Sequence, residues 1–94
     1  MMNKEDFFEK YLKQGDVTFP YMLLDRMRSD CEYYLNVEIP NHCPKEYNHL
    51  WADHDPEAQI TYMRYIWEYL PEKPEWLTME QIDEYGKRMK GACA

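Results

Sequence analysis

Apolar side chains in this chain recur at steps of three and four and nowhere alternate at steps of two, which leaves helices as its building material. The clearest run is TFPYMLLDRMRSDCEYYL (18–35). There Leu23, Met27, Cys31 and Leu35 step by four along one face, and Leu24 and Tyr34 widen it. Asp25, Arg28, Asp30 and Glu32 fall mostly on the opposite side. Thr18 opens this helix, with Pro20 in its first turn. Ahead of it, Asn3 can cap a first helix whose stripe is Phe7, Phe8, Tyr11 and Leu12, and Gly15 stops it. Further along, Asp55, Pro56 and Glu57 supply a cap, a proline at the first helical position and an acid at the positive end of the dipole. Ile60, Met63, Ile66, Trp67 and Leu70 form the buried stripe of that helix, and Pro71 ends it. Thr78 with Gln81 makes a capping box, and Leu77 with Ile82 a hydrophobic staple. They start a last helix from Met79 to about Lys90 that buries Ile82, Tyr85 and Met89, with Gly91 closing it.

Two stretches interrupt the helices. In residues 36–55, Pro40 and Pro44 break any long helix and Asn36, Asn41 and Asn48 suit turns, with room for a short helix across Lys45–Trp51. LPEKPEW (70–76) is too short and proline-rich for a helix and reads as a strap over the core, anchored by Trp76 and Leu77. The expectation is an all-α fold, a small bundle of four helices with an irregular loop (36–55) and a proline-rich strap (70–77), in one domain spanning 1–94. A chain of 94 residues buries only a little over ~60% of its unfolded surface. Nine Tyr, three Trp, three Phe and seven Met offset that by supplying much contact area per residue. A bound metal would add a staple.

Formal charge is −7, and the acid is concentrated. Between Asp53 and Glu84, nine carboxylates face only Arg64 and Lys73. Nucleic acid is repelled by such a surface, whereas a basic protein that itself handles nucleic acid is attracted. Tyr62, Tyr65 and Tyr69 share a helix face beside the buried stripe, and aromatics are enriched in interface hot spots. Asp53, Glu57, Tyr65, Glu68, Tyr69 and Glu72 are therefore the candidate partner-binding residues. The plainer alternative is a solvated acidic face with tyrosines that widen the core. No run of 18 apolar residues exists and MMNKEDFFEKYLKQG lacks the apolar core of a signal peptide, so a cytoplasmic, membrane-free protein is expected.

Three cysteines in a reducing compartment are free thiols or metal ligands. NHCPKEYNHLWADH (41–54) holds all three histidines and Cys43. Cys31, His42, Cys43 and His49 form a candidate zinc set that would tie the end of the second helix to the loop, with His54, Asp53 and Asp55 in reserve. The competing reading is a metal-free polar loop with Cys31 as a small core side chain. A catalytic zinc would need a pocket that so compact a chain hardly offers. Glycines at 15, 86 and 91 allow no phosphate loop, Ser29 is the only serine, and Cys43 beside His42 makes a poor nucleophile–base pair because neighbouring side chains point apart. A non-enzymatic protein is expected.

Three blocks carry a family resemblance: PYMLLDRMRSDCEYYL (20–35), HLWA (49–52) and LPEKPEWLTMEQIDEY (70–85). In this order they resemble the large polyvalent protein-associated domain of the eleventh type, over roughly residues 20–90, with the first helix outside. The resemblance implies a phage, plasmid or conjugative-element protein and supplies no catalytic residue set. Where relatives have a short Gly/Asn-rich turn, this chain has the longer NVEIPNHCPKEYN (36–48), which brings in His42 and Cys43. Small size, that setting and the −7 charge together lead to the expectation of an anti-CRISPR-type inhibitor. It would bind a basic nucleic-acid-handling nuclease, Cas9-like, and block nucleic-acid loading. The alternatives are a structural or recruitment module of a phage or conjugative assembly, and a small metal-dependent hydrolase.

Overall fold

The computed structural model describes residues 1–13, 15–41 and 48–91. Among these residues the fold is all-helical. Helix α1 (Lys4–Phe7) is prolonged by a π-helical turn, Phe8–Leu12. Helix α2 (Thr18–Tyr33) is prolonged by a second π-helical turn, Tyr34–Glu38, and by the short α3 (Ile39–Asn41). Helices α4 (Pro56–Tyr69) and α5 (Met79–Gly91) follow. Helix α4 is the hub, packed against α1, α2 and α5.

The ends of the helices follow their caps. Asn3 Oδ1 accepts from the Asp6 N–H at 2.8 Å, and Asp55 Oδ1 accepts from the Glu57 N–H at 3.0 Å. The capping box closes in both directions: Gln81 Oε1 accepts from the Thr78 N–H at 2.8 Å and Thr78 Oγ1 from the Gln81 N–H at 3.1 Å. Its staple residues Leu77 and Ile82 are fully buried. At α2 the acceptor is Asp16, whose Oδ1 takes the Thr18 N–H at 2.9 Å; Thr18 is already helical and caps nothing.

Three local expectations differ from the structure. Helical conformation runs on through residues 34–41, where an irregular loop was expected from 36. The Ile39 N–H reaches back to the Tyr34 carbonyl. Pro40 falls in the final turn, where the amide it lacks costs one bond, so it trims the helix instead of preventing it. No helix forms at residues 48–51, the described part of the short one expected across Lys45–Trp51. The strap is anchored by Leu70 and Leu77, while Trp76 stays 43% exposed with the Arg28 guanidinium 5.5 Å from its ring centroid.

The core is built from Phe7, Leu24, Met27, Cys31, Met63, Ile66, Leu77 and Ile82, all fully buried. Gly86 lets α5 come close to α4, since a Cβ there would stand 3.4 Å from Ile60 Cγ2. The segment after residue 47 has no regular structure, yet buries Leu50 and Ala52. Its backbone amides are taken one by one by side-chain oxygens. Glu38 Oε1 accepts from His49 N–H at 3.1 Å and Asn48 Oδ1 from Leu50 N–H at 3.0 Å. Asp30 Oδ2 accepts from Trp51 N–H at 3.1 Å and Gln59 Oε1 from Ala52 N–H at 2.9 Å. Asp30, Glu38, Asn48 and Gln59 are all buried, so each replaces water for an amide that could not otherwise reach it. The sequence pattern placed Asp30 on the outer side of α2; this bond is what turns it inward. Gln59 also donates through Nε2 to the Met27 carbonyl at 3.2 Å, joining α2, α4 and the segment at one side chain. Gln59→Met keeps the shape and strands the Ala52 N–H, which should cost about 2–3 kcal/mol. A urea titration reads this as a lower midpoint with an unchanged slope; a loss under about 0.5 kcal/mol would show that the bond does not matter.

Candidate partner-binding face

Of the four candidate zinc ligands, His42 and Cys43 lie outside the described residues. Cys31 sits in the core, its thiol donating to Met63 Sδ at 3.7 Å. Burial, helped by the negative charges of Asp30 and Glu32, pushes that thiol up to about 12. Zinc takes thiolate, so Cys31 as it stands is suited to packing. His49 is half exposed. Its Nδ1 lies 3.4 Å from Glu38 Oε2 and its ring meets Tyr33 edge-on at 5.2 Å. His54 turns into its own loop, Nδ1 sharing a hydrogen bond with the Asn48 carbonyl at 2.8 Å. The Asn48 side chain returns a bond to the His54 carbonyl at 2.9 Å. Asp53 and His54 both adopt left-handed backbone, φ 53° and 60°, and these bonds hold the turn in it. Among the described residues no group of three or more His, Cys, Asp or Glu side chains is arranged to hold a metal ion.

The candidate partner-binding residues divide between the two ends of α4. Asp53 and Glu57 are exposed at its N-terminal end, while Tyr65, Glu68, Tyr69 and Glu72 gather at its C-terminal end. Along the helix Glu57 stands about 12 Å from Tyr65 and about 16 Å from Glu68. Glu57 borders a groove of about 780 Å³ between α4 and α5, lined also by Tyr34, Ile60, Arg64, Asp83 and Lys87. Its apolar floor and mixed charge set it apart from the acidic end.

At the C-terminal end, the tyrosines lie under the first helix. Phe7 stacks on Tyr62 with ring centroids 4.6 Å apart and meets Tyr65 at 5.8 Å; Phe8 meets Tyr69 edge-on at 5.6 Å. Trp51 completes the bed, its ring 5.1 Å from that of Tyr11. The Met2 N–H donates to the Tyr62 hydroxyl at 2.7 Å, and Lys4 Nζ reaches Glu68 at 2.7 Å. The aromatic face of α4 is thus a seat for a helix. Sequence periodicity could show that the face existed, but not that residues 3–12 lie on it.

Both cations of the acidic stretch are used internally. Arg64 binds Asp83 through Nε at 3.0 Å and Nη2 at 2.7 Å. Lys73 Nζ donates to the carbonyls of Trp67, Glu68 and Leu70, each at 2.9 Å, capping the C-terminal end of α4 where a positive charge is favoured. Glu57, Glu72, Glu75, Glu80 and Glu84 are left exposed to solvent.

The buried thiol sets a pH dependence. Its ionisation lies above the ordinary value of 9.0 in the folded chain, so the unfolded chain releases the proton first and alkali favours unfolding. Tyr34 and Tyr85, raised chiefly by burial, act in the same direction at higher pH. Melting temperature should fall progressively from pH 9 toward about 12. The Cys31→Ala chain should show a shallower fall over that range; identical slopes would show that the thiol is not the group responsible.

Comparison with known proteins gives one match. The sequence model of the large polyvalent protein-associated domain 11 matches residues 17–89, from the turn before α2 to the last buried methionine of α5. No curated protein and no solved structure matches the chain.

Proposed function

The chain belongs to the large polyvalent protein-associated domain 11 family, and from that premise we propose that it is an acidic binding protein, without chemistry of its own, for a basic nucleic-acid-handling protein. The concrete candidate is an RNA-guided nuclease of the Cas9 type, whose positively charged channel an acidic ligand can occupy before nucleic acid does. One observation carries this reading. Arg64 is paired with Asp83, Lys4 with Glu68, and Lys73 caps the end of α4, while Glu57, Glu72, Glu75, Glu80 and Glu84 stay exposed, so the stretch keeps a net negative surface. Field lines from such a surface extend about a Debye length, near 8–10 Å at physiological salt, and draw in a basic partner. The mobile-element setting that the resemblance implies is one in which a small protein of this kind has a use.

The test is direct association of the purified chain with an apo nuclease of that type. A stoichiometric complex should form at low micromolar concentration, weaken with added salt, and exclude guide or target nucleic acid. Reversing Glu72, Glu75 and Glu80 to Lys should slow association about tenfold at low salt while leaving the melt nearly unchanged. Absence of binding to any such nuclease at moderate salt would sink this version. Capture of proteins of its own element instead would make the chain a recruitment module, and turnover abolished by a chelator in a still-folded chain would make it a hydrolase.

A further inference from the structure

The family match begins at residue 17, and the helical run Lys4–Leu12 ahead of it is laid on α4. That helix meets the family region through the Met2 amide, Lys4, Phe7, Phe8, Tyr11 and Leu12, on α4, on Trp51 and, at its π-helical turn, on α2. Phe7 is fully buried on Tyr62 and Tyr65, Leu12 is 3% exposed, and Lys4 pairs with Glu68. Its opposite face, with Glu5, Asp6 and Glu9, is exposed. The connection into α2 includes Gly15 at φ +85°, a left-handed conformation that glycine adopts without strain, and a Cβ there would meet nothing within 4 Å. The bed itself is made by residues of the family region: Trp51, Tyr62, Tyr65, Glu68 and Tyr69. An aromatic bed with an acidic rim, filled by one amphipathic helix from outside the family region, is a helix-in-groove site with its occupant in place.

We infer that this bed is a docking site for a basic amphipathic helix, and that residues 1–13 are its resident, displaceable occupant. The occupant's chemistry is set by what the bed already holds: an aromatic side chain at the Phe7 position, an aromatic or large apolar group at the Phe8 and Leu12 positions, and a cation where Lys4 meets Glu68. Charge decides which helix the site prefers. In the resident, Lys4, Lys10 and Lys13 balance Glu5, Asp6 and Glu9, so it is neutral. Of the chain's −7, one charge is Asp16 and the other six belong to residues 17–94. A helix with the same buried face and basic residues on its outer face gains attraction that the resident lacks. Only its tether keeps the resident ahead, by raising its effective concentration at the bed. This deepens the function proposed above, on which it rests only for the partner's positive charge.

The test starts from the intact folded chain, with a specific protease sequence inserted between Gly15 and Asp16 and then cut. A fluorescently labelled peptide of residues 1–13 should exchange into the cut protein and bind saturably. It should bind the uncut protein far more weakly, because there the tethered helix competes. The Phe7→Ala peptide should bind at least about tenfold more weakly, since it loses the buried anchor. A Glu5→Gln, Glu9→Lys peptide should bind several-fold more tightly at low salt, and high salt should remove that gain. Failure to exchange, loss of the fold once the fragment leaves, or equal binding to cut and uncut protein would each overturn the inference. So would indifference to Phe7. If exchange succeeds but no nuclease binds, the site stands and the functional reading falls. If a nuclease binds while the resident helix stays seated, the reverse holds.

Discussion

Four consecutive amides, at residues 49–52, are each received by a buried side-chain oxygen, and the rest of the architecture depends on that arrangement. A segment with no helix or strand of its own cannot bury Leu50 and Ala52 unless its backbone finds partners, since a stranded amide costs on the order of 1–3 kcal/mol. Asp30 and Glu38 come from the α2 side, Gln59 from α4, and Asn48 from the segment itself. The segment therefore fixes where α2 lies relative to α4. Asp55, which starts α4, receives a further restraint as its amide donates to the Ala52 carbonyl at 2.9 Å. The polar character of NHLWADHD is thereby accounted for: His54 and Asn48 hold the left-handed turn, and His49 meets Glu38 and Tyr33 at its edge.

What could be read from the sequence was local. Asn3, Asp55 and the Thr78–Gln81 box stand where their helices begin because a cap acts on amides two or three residues away. Helix faces were legible for the same reason: Leu23, Leu24, Met27 and Cys31 repeat at the helical period and are all buried. The misread residues act at a distance. Asp30 looks like a surface acid until Trp51, 21 positions on, supplies the amide that draws it inward. Lys73 is one of two cations in an acidic stretch, and only the structure shows that it caps the end of α4. Trp76 looks like an anchor, but the strap is pinned by Leu77 beside it. The helical steps grouped Tyr62, Tyr65 and Tyr69 on one face, but nothing in periodicity could say that Phe7 and Phe8 meet them.

The two π-helical turns fall where a helix has to accommodate an outside demand. In Phe8–Leu12 the turn follows Phe7, which is seated on Tyr62, and ends on Leu12, which reaches the core. In Tyr34–Glu38 it follows the run of buried residues of α2 and ends on the carboxylate that takes the His49 amide.

Acid at the surface and aromatics beneath it are usually weighed as separate features, one for solubility and one for packing. Here they meet near the C-terminal end of α4, where Glu68 pairs with Lys4 of the helix that the tyrosines seat. If the charge served solubility alone, its position would be immaterial, and the cations of the stretch would be as free as its carboxylates. Instead Arg64 is paired with Asp83 and Lys73 caps the end of α4, and the Glu68 carboxylate is met by Lys4, carried in from outside the family region. The first helix thus brings an aromatic anchor and a positive charge to this end of α4. A protein partner for this site has to bring the same two.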